Sequence, residues 1–199
     1  MSTTYRSRRS RRLDHWDYRS SGAYFVTICT FERQCSFEDP RIATILRTTW
    51  NRTARRGGTA PPHEFVVMPN HVHGVLWLPG RRNDRAQAPA GRTRHGIARV
   101  PFDIETLERE RTMQDSGGAS SLRPRGAVPG SVGAVLASFE ATSARRINLL
   151  RGAPGAPVWQ GGYYDRVVRD DEELDAVRQY ISDNPAKWDL DHHNPSNWL

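Results

Sequence analysis

Alternating and helically spaced apolar positions divide this chain into a short series of elements. The stretch "AYFVTICTF" (23–31) is β-branched and aromatic and predicts a strand. In "DPRIATILRTTWNRTARR" (39–56), Ile42, Ile45, Leu46 and Trp50 recur at helical spacing, and Asp39-Pro40 supplies a cap and a first turn. "HEFVVMPNHVHGVLWLP" (63–79) reads as two strands joined at the turn dipeptide Pro69-Asn70. From Gly130 a helical pattern resumes through Val132, Val135, Leu136, Phe139, Ile147 and Leu150. "VWQGGYYDRVVR" (158–169) predicts the last strand. "DDEELDAVRQYISDN" (170–184) predicts the last helix, opened by acids that favour its N-terminal dipole and stopped at Pro185.

The order β-α-β-β-α-β-α predicts an α+β fold of the ferredoxin-like split βαβ kind, an antiparallel sheet with helices packed on it. Residues 23–190 form one domain in this reading, interrupted at about 80–130 by a segment rich in Arg, Pro, Gly and Ser. That segment is too polar to build a second core and is expected to be a mobile insertion or a long loop, with a short helical pattern at "IETLERERTMQ". Residues 1–22 form a basic arm with interleaved aromatics, and residues 191–199 an irregular tail.

Charge sharpens the picture. The chain of 199 residues carries a formal charge of +7, and Lys187 is its only lysine, so nearly all the positive charge is arginine. The planar guanidinium fork suits phosphate, which makes a nucleic acid the leading partner class. A genome that favours arginine codons gives the same composition, so charge alone does not decide. Cys29 and Cys35 form no CxxC and no second pair, which excludes a disulfide framework and a zinc ribbon and points to a reducing compartment. No apolar run approaches the ~18 residues of a membrane span. The expected location is therefore the cytoplasm, with no membrane partner.

Two histidines stand inside the apolar run of "VVMPNHVHGVLWLP". Side chains alternate along a strand, so His71 and His73 share a face roughly 7 Å apart along the chain and can converge on one metal ion. The bland alternative is a pair of strand-end imidazoles satisfied by backbone or water. His-x-His also occurs in zinc hydrolases, so the pair does not choose a reaction. His192 and His193 read as solvated surface, and His63 and His95 as loop residues. On the last helix, Tyr180 and Asn184 are four apart and hence neighbours. Asn184 can offer a carbonyl oxygen to a metal while Tyr180 places a phenol beside it. Taken from the helix alone, Tyr180 reads first as an ordinary core-edge aromatic. Tyr163 and Tyr164 compete with it as nucleophiles.

"GAYFVTICTF", "FVVMPNHVHGVLWLP", "VWQGGYYDRVVRDDEEL" and "YISDNPAKW", in this order, resemble the REP-associated tyrosine transposases, members of the single-tyrosine HUH superfamily. The likeness runs from about residue 8 to 190, with 80–130 largely outside it. It implies His71 and His73 as metal ligands around Val72, Tyr180 as nucleophile, and Asn184 as a third ligand. It also implies Mg²⁺ or Mn²⁺ as the ion, a choice compatible with mixed nitrogen and oxygen donors. Tyr163 and Tyr164 fall to structural or DNA-contacting roles. The implied activity is a single-stranded DNA endonuclease and strand transferase acting on hairpin DNA of the REP type, through a 5′-phosphotyrosine. Arg6, Arg8, Arg9, Arg11 and Arg12, with Trp16 and Tyr18, are placed to neutralise phosphates and stack on bases.

A nucleoid-associated monomer or homodimer in a bacterial cytoplasm is the matching expectation. Glu140 departs from the family, whose members commonly carry a lysine there, and the long insertion is also atypical. Two other readings stand beside this one. A domesticated hairpin-binding protein would bind without transposition. A zinc hydrolase using His71 and His73 would need a further ligand that the sequence does not show near them.

Overall fold

The computed structural model describes residues 17–56, 64–79, 127–191 and 193–198. Most of the basic arm and of the 80–130 segment lies outside these residues, including the "IETLERERTMQ" pattern. Four strands, β1 (Gly22–Cys29), β2 (Phe65–Val67), β3 (His71–Leu78) and β4 (Tyr164–Val168), form one sheet in the order β2-β3-β1-β4. Every pairing is antiparallel. With α1 (Pro40–Arg56) between β1 and β2, and α2 (Val132–Arg151) between β3 and β4, this is the expected split βαβ arrangement. A further helix, α3 (Asp171–Asp183), follows β4. Among the described residues no helix is long and apolar enough to cross a membrane.

The period-two alternation of β1 and β3 builds two cores on opposite faces of the sheet. Tyr24, Val26 and Ile28 of β1 join Val72, Leu76 and Leu78 of β3 on one face. Against them pack Ile42, Leu46 and Trp50 of α1 and Val132, Leu136, Phe139 and Ile147 of α2. Ala23 and Phe25 of β1, with Val75 of β3, face the other way and meet Leu174, Val177, Tyr180 and Ile181 of α3. The register pairs Thr27 with His73 and Cys29 with His71, which puts both histidines on the α3 face. Leu150, expected on the apolar side of its helix, is exposed because the buried stripe ends at Ile147.

The last strand is shorter than its apolar pattern suggests. A continuous ladder would set Thr30 opposite Gly161, since Thr27 pairs with Tyr164, yet Thr30 bridges to Trp159. Two extra residues are absorbed at Gly161-Gly162, where Gly162 adopts φ 92°, a left-handed value suited to glycine. Val158–Gln160 then runs beside the end of β1, with Phe31 N–H bonding the Val158 carbonyl and Gln160 N–H the Cys29 carbonyl, each at 2.9 Å.

Helix α2 is capped by the Ser131 hydroxyl, which accepts from Ala134 N–H, and closed by Gly152 at φ 63°. Its Glu140 is half buried, and Oε1 has no hydrogen-bond partner among the described residues. Burial pushes its carboxyl up from 4.5 to about 7. The fold therefore holds this proton more tightly than the unfolded chain does. The contribution to stability is greatest below pH 4.5 and is lost as pH rises through about 7. Glu140→Gln is expected to be more stable than the parent at pH 8, by up to ~3 kcal/mol, with the gap closing toward pH 4. Thermal melts across this range check it, and a pH-independent gap would contradict the assigned burial.

Candidate active site between the sheet and its last helix

The Pro69-Asn70 turn closes with Met68 N–H bonding the His71 carbonyl at 2.9 Å, so β3 begins on His71 itself. Both imidazoles are fully buried, at 0% exposure. Their Nδ1 atoms are tied at the back: His71 Nδ1 lies 2.8 Å from Asn70 Oδ1, and His73 Nδ1 lies 2.8 Å from Thr27 Oγ1. Their Nε2 atoms converge in front, 3.0 Å apart. Two nitrogens on one octahedral ion, each held at ~2.1 Å and at right angles, stand about 3.0 Å apart, so this spacing fits a shared cation as well as a shared proton.

Helix α3 is fixed over this pair at both ends. Asp170 Oδ1 caps it by accepting Glu173 N–H at 2.8 Å. The buried Glu173 reaches back to β4, taking Arg166 Nε on Oε1 at 2.8 Å and Arg169 N–H on Oε2 at 2.9 Å. Further along, Arg178 Nε bonds Glu64 Oε1 at 2.6 Å, tying the helix to the residue before β2. Held so, α3 lays the Tyr180 ring edge-on to His73 at a centroid distance of 5.3 Å, and to Phe25 at 5.9 Å. Tyr180 is 7% exposed.

The four-residue step from Tyr180 reaches Asn184, which is buried at the end of α3. Its backbone N–H bonds the Tyr180 carbonyl, and its side-chain Nδ2 turns toward the same carbonyl at 3.5 Å, leaving Oδ1 directed away from it. Pro185 does not end the winding there, since Asn184–Leu190 continues as 3-10 turns. Of the rival tyrosines, Tyr163 packs with the opposite core, beside α2. Tyr164 is on the histidine face, paired with Thr27 and 6.3 Å from Phe25. Of the proposed DNA-contacting residues, Arg6, Arg8, Arg9, Arg11, Arg12 and Trp16 lie outside the described residues. Tyr18 is half buried against Tyr24, ring centroids 6.1 Å apart.

His193 departs from its reading as solvated surface, and His192 lies outside the described residues. His193 is buried, its ring 4.9 Å from that of His71. Asp191 Oδ2 lies 3.7 Å from His71 Nε2, and Asp191 Oδ1 accepts His193 N–H at 2.7 Å. Trp188 flanks the same imidazole at 6.2 Å. The available signal was the run of turn-forming residues Asp191, Asn194 and Pro195, which folds the tail back by local side-chain-to-backbone bonds. Among the described residues no three His, Cys, Asp or Glu side chains form a cluster able to hold a metal. A cation here would rest on the two imidazoles, with oxygen donors completing its shell, as Mg²⁺ commonly accepts.

Two solved structures similar to this chain are described as transposases. One is the REP-associated tyrosine transposase bound to a REP hairpin, 16% identical, covering 96% of this chain and 76% of that one, with a TM-score of 0.44. Another is a candidate transposase from Deinococcus radiodurans R1, 17% identical, covering 87% of this chain and 97% of that one, with a TM-score of 0.39. An uncharacterized protein of Haemophilus influenzae is 27% identical over 205 residues, covering 96% of this chain and 97% of its own. No protein-family model matches the chain. At these identities, none of the three says which residues act here.

Proposed function

We propose that this protein is a metal-dependent single-stranded DNA endonuclease and strand transferase of the REP-associated tyrosine type, acting on hairpin DNA. One observation carries the reading: a phenol lies against an imidazole whose Nε2 converges with that of a second histidine, on a single face of the sheet. Nothing in the spacing of Tyr180 from His73 along the chain requires that meeting.

Tyr180 Oη would attack phosphorus, forming an Oη–P bond as the P–O3′ bond breaks. The phenol proton passes to solvent, and the departing 3′-oxygen takes one up as a hydroxyl. The product is a 5′-phosphotyrosine, whose aryl oxygen is a good leaving group. A second 3′-hydroxyl can therefore reverse the step and rejoin strands without ATP. Mg²⁺ or Mn²⁺, held by His71, His73 and Asn184, would supply Lewis-acid neutralisation of the phosphate charge. His71 and His73 hold their front nitrogens in place through Asn70 and Thr27. Tyr180 is kept over them by the clamps on α3. Both imidazoles are sealed, so a phosphate reaches them only if part of the surrounding cover moves aside.

That burial is what favours the second reading, a hairpin-binding protein without turnover. A labelled hairpin oligonucleotide with a single-stranded flank separates the two. The endonuclease forms a denaturant-resistant protein–DNA adduct with Mg²⁺, absent in EDTA and in His73→Ala. Hairpin binding that never yields an adduct on any flank sequence would leave the second reading standing.

A further inference from the structure

We infer that Asn70 is the positioning residue of this site: its side-chain amide decides which nitrogen His71 presents, and the same amide pins the C-terminal tail beside it. The inference rests on His71 being a ligand in the reading above, but its geometry stands independently.

Asn70 is 1% exposed, and both ends of its side-chain amide are engaged. Its Nδ2 donates to the His193 carbonyl at 2.6 Å and to the Arg33 carbonyl at 3.2 Å, which uses both amide hydrogens. Its own backbone carbonyl accepts from Thr30 N–H and Thr30 Oγ1, each at 2.9 Å, so the residue is held from both sides. The orientation of the amide is therefore fixed by chemistry. A flipped amide would set its oxygen against two carbonyl oxygens.

With Nδ2 so placed, it is Oδ1 that faces His71 Nδ1, 2.8 Å away. An amide oxygen only accepts, so Nδ1 must carry the hydrogen. Neutral His71 then has its lone pair on Nε2, the atom that meets His73 Nε2 at 3.0 Å. Thr27 cannot impose the same choice on His73, because a hydroxyl donates or accepts with equal ease. One imidazole is thus locked as a ligand, and the other can still carry the proton between the two Nε2 atoms. Hydrogen bonds at the back of a ligating histidine commonly set both its tautomer and its affinity.

The second job of the amide links distant parts of the chain. The His193 carbonyl lies 123 residues on from Asn70 in the chain, and the His193 ring lies 4.9 Å from the His71 ring, tilted by 60°. Seating the tail and presenting His71 Nε2 therefore depend on the same side chain.

Nitrogen-15 NMR of histidine-labelled full-length protein at pH 8, without metal, tests this. Wild-type His71 should show a protonated Nδ1 and an unprotonated Nε2. In Asn70→Asp the carboxylate still accepts from Nδ1, so this tautomer should persist, while the tail, robbed of its donor, should gain faster amide exchange around His193. In Asn70→Leu the tautomer preference should vanish, and Mn²⁺ affinity by EPR should fall roughly 10–100-fold relative to wild type. A wild-type His71 protonated on Nε2 would overturn the inference, as would an unchanged tautomer in a folded Asn70→Leu. If Mn²⁺ fails to bind wild type while His71 keeps the expected tautomer, the metal reading falls and the positioning role survives.

Discussion

Tyr180→Phe is expected to keep the fold and lose covalent capture of DNA altogether. The ring is nearly buried and packs edge-on to Phe25 and His73, contacts that a phenyl ring repeats. Loss of one hydroxyl and its bonding costs about 1 kcal/mol of stability. The chemistry has no such reserve. Without Oη nothing forms the bond to phosphorus, and removal of a nucleophile from a working site typically costs a thousand-fold or more. The adduct yield per protein on a matched hairpin substrate should fall at least about a thousand-fold, while the thermal midpoint moves by only about 2–4 °C.

Gly74→Ala is expected to do the reverse, sparing every proposed reacting group while weakening the frame. Gly74 follows His73 and faces the α1/α2 core, where an added Cβ would lie 2.6 Å from Trp50 Cζ2 and 3.2 Å from Phe65 Cδ2. Trp50 has nowhere to retreat. It is fully buried, stacked on Phe65 at 4.7 Å and set edge-on to Phe139 at 5.4 Å. Overpacking of this kind costs about 1–3 kcal/mol, or roughly 3–10 °C in a domain of this size. Urea denaturation of the variant checks the figure, and an unchanged midpoint would mean that the indole is free to shift. The contrast between the two variants separates the part of β3 that reacts from the part that supports it.

The sheet and the two-sided core were legible because they rest on local periodicity. Tyr24, Val26 and Ile28 alternate with Ala23 and Phe25, and the same alternation puts His71 and His73 together on one face. The end of β4 was not legible, since the Gly161-Gly162 step looks like part of one apolar stretch until its partner strand is known. Tyr180 was ambiguous for a good reason: it is packed as a core-edge aromatic, and only its proximity to His73 distinguishes it. The resemblance, rather than spacing, singled it out. Tyr163, just before β4, parts from Tyr164 because successive side chains of extended chain face opposite ways.

His193 was misread because its contacts are polar and remote. A short run of Asp, His, Asn and Pro carries no hydrophobic period, and the bond from Asn70 to the His193 carbonyl spans 123 residues. Asn70 itself looked like a turn residue and no more. It is one, and its side chain also acts where no local pattern can report it. Glu140 shows the same limit from another direction, since a carboxylate at a helical surface position gives no sign in sequence of being half buried with one oxygen unpartnered among the described residues.

The central claim is that the His71–His73 pair and Tyr180 are one phosphodiester-cleaving site. Peptide mapping of the wild-type protein–DNA adduct by mass spectrometry tests it most directly. A nucleotide phosphate is expected on the peptide containing Tyr180. A phosphate on Tyr164, which shares the histidine face, would contradict it.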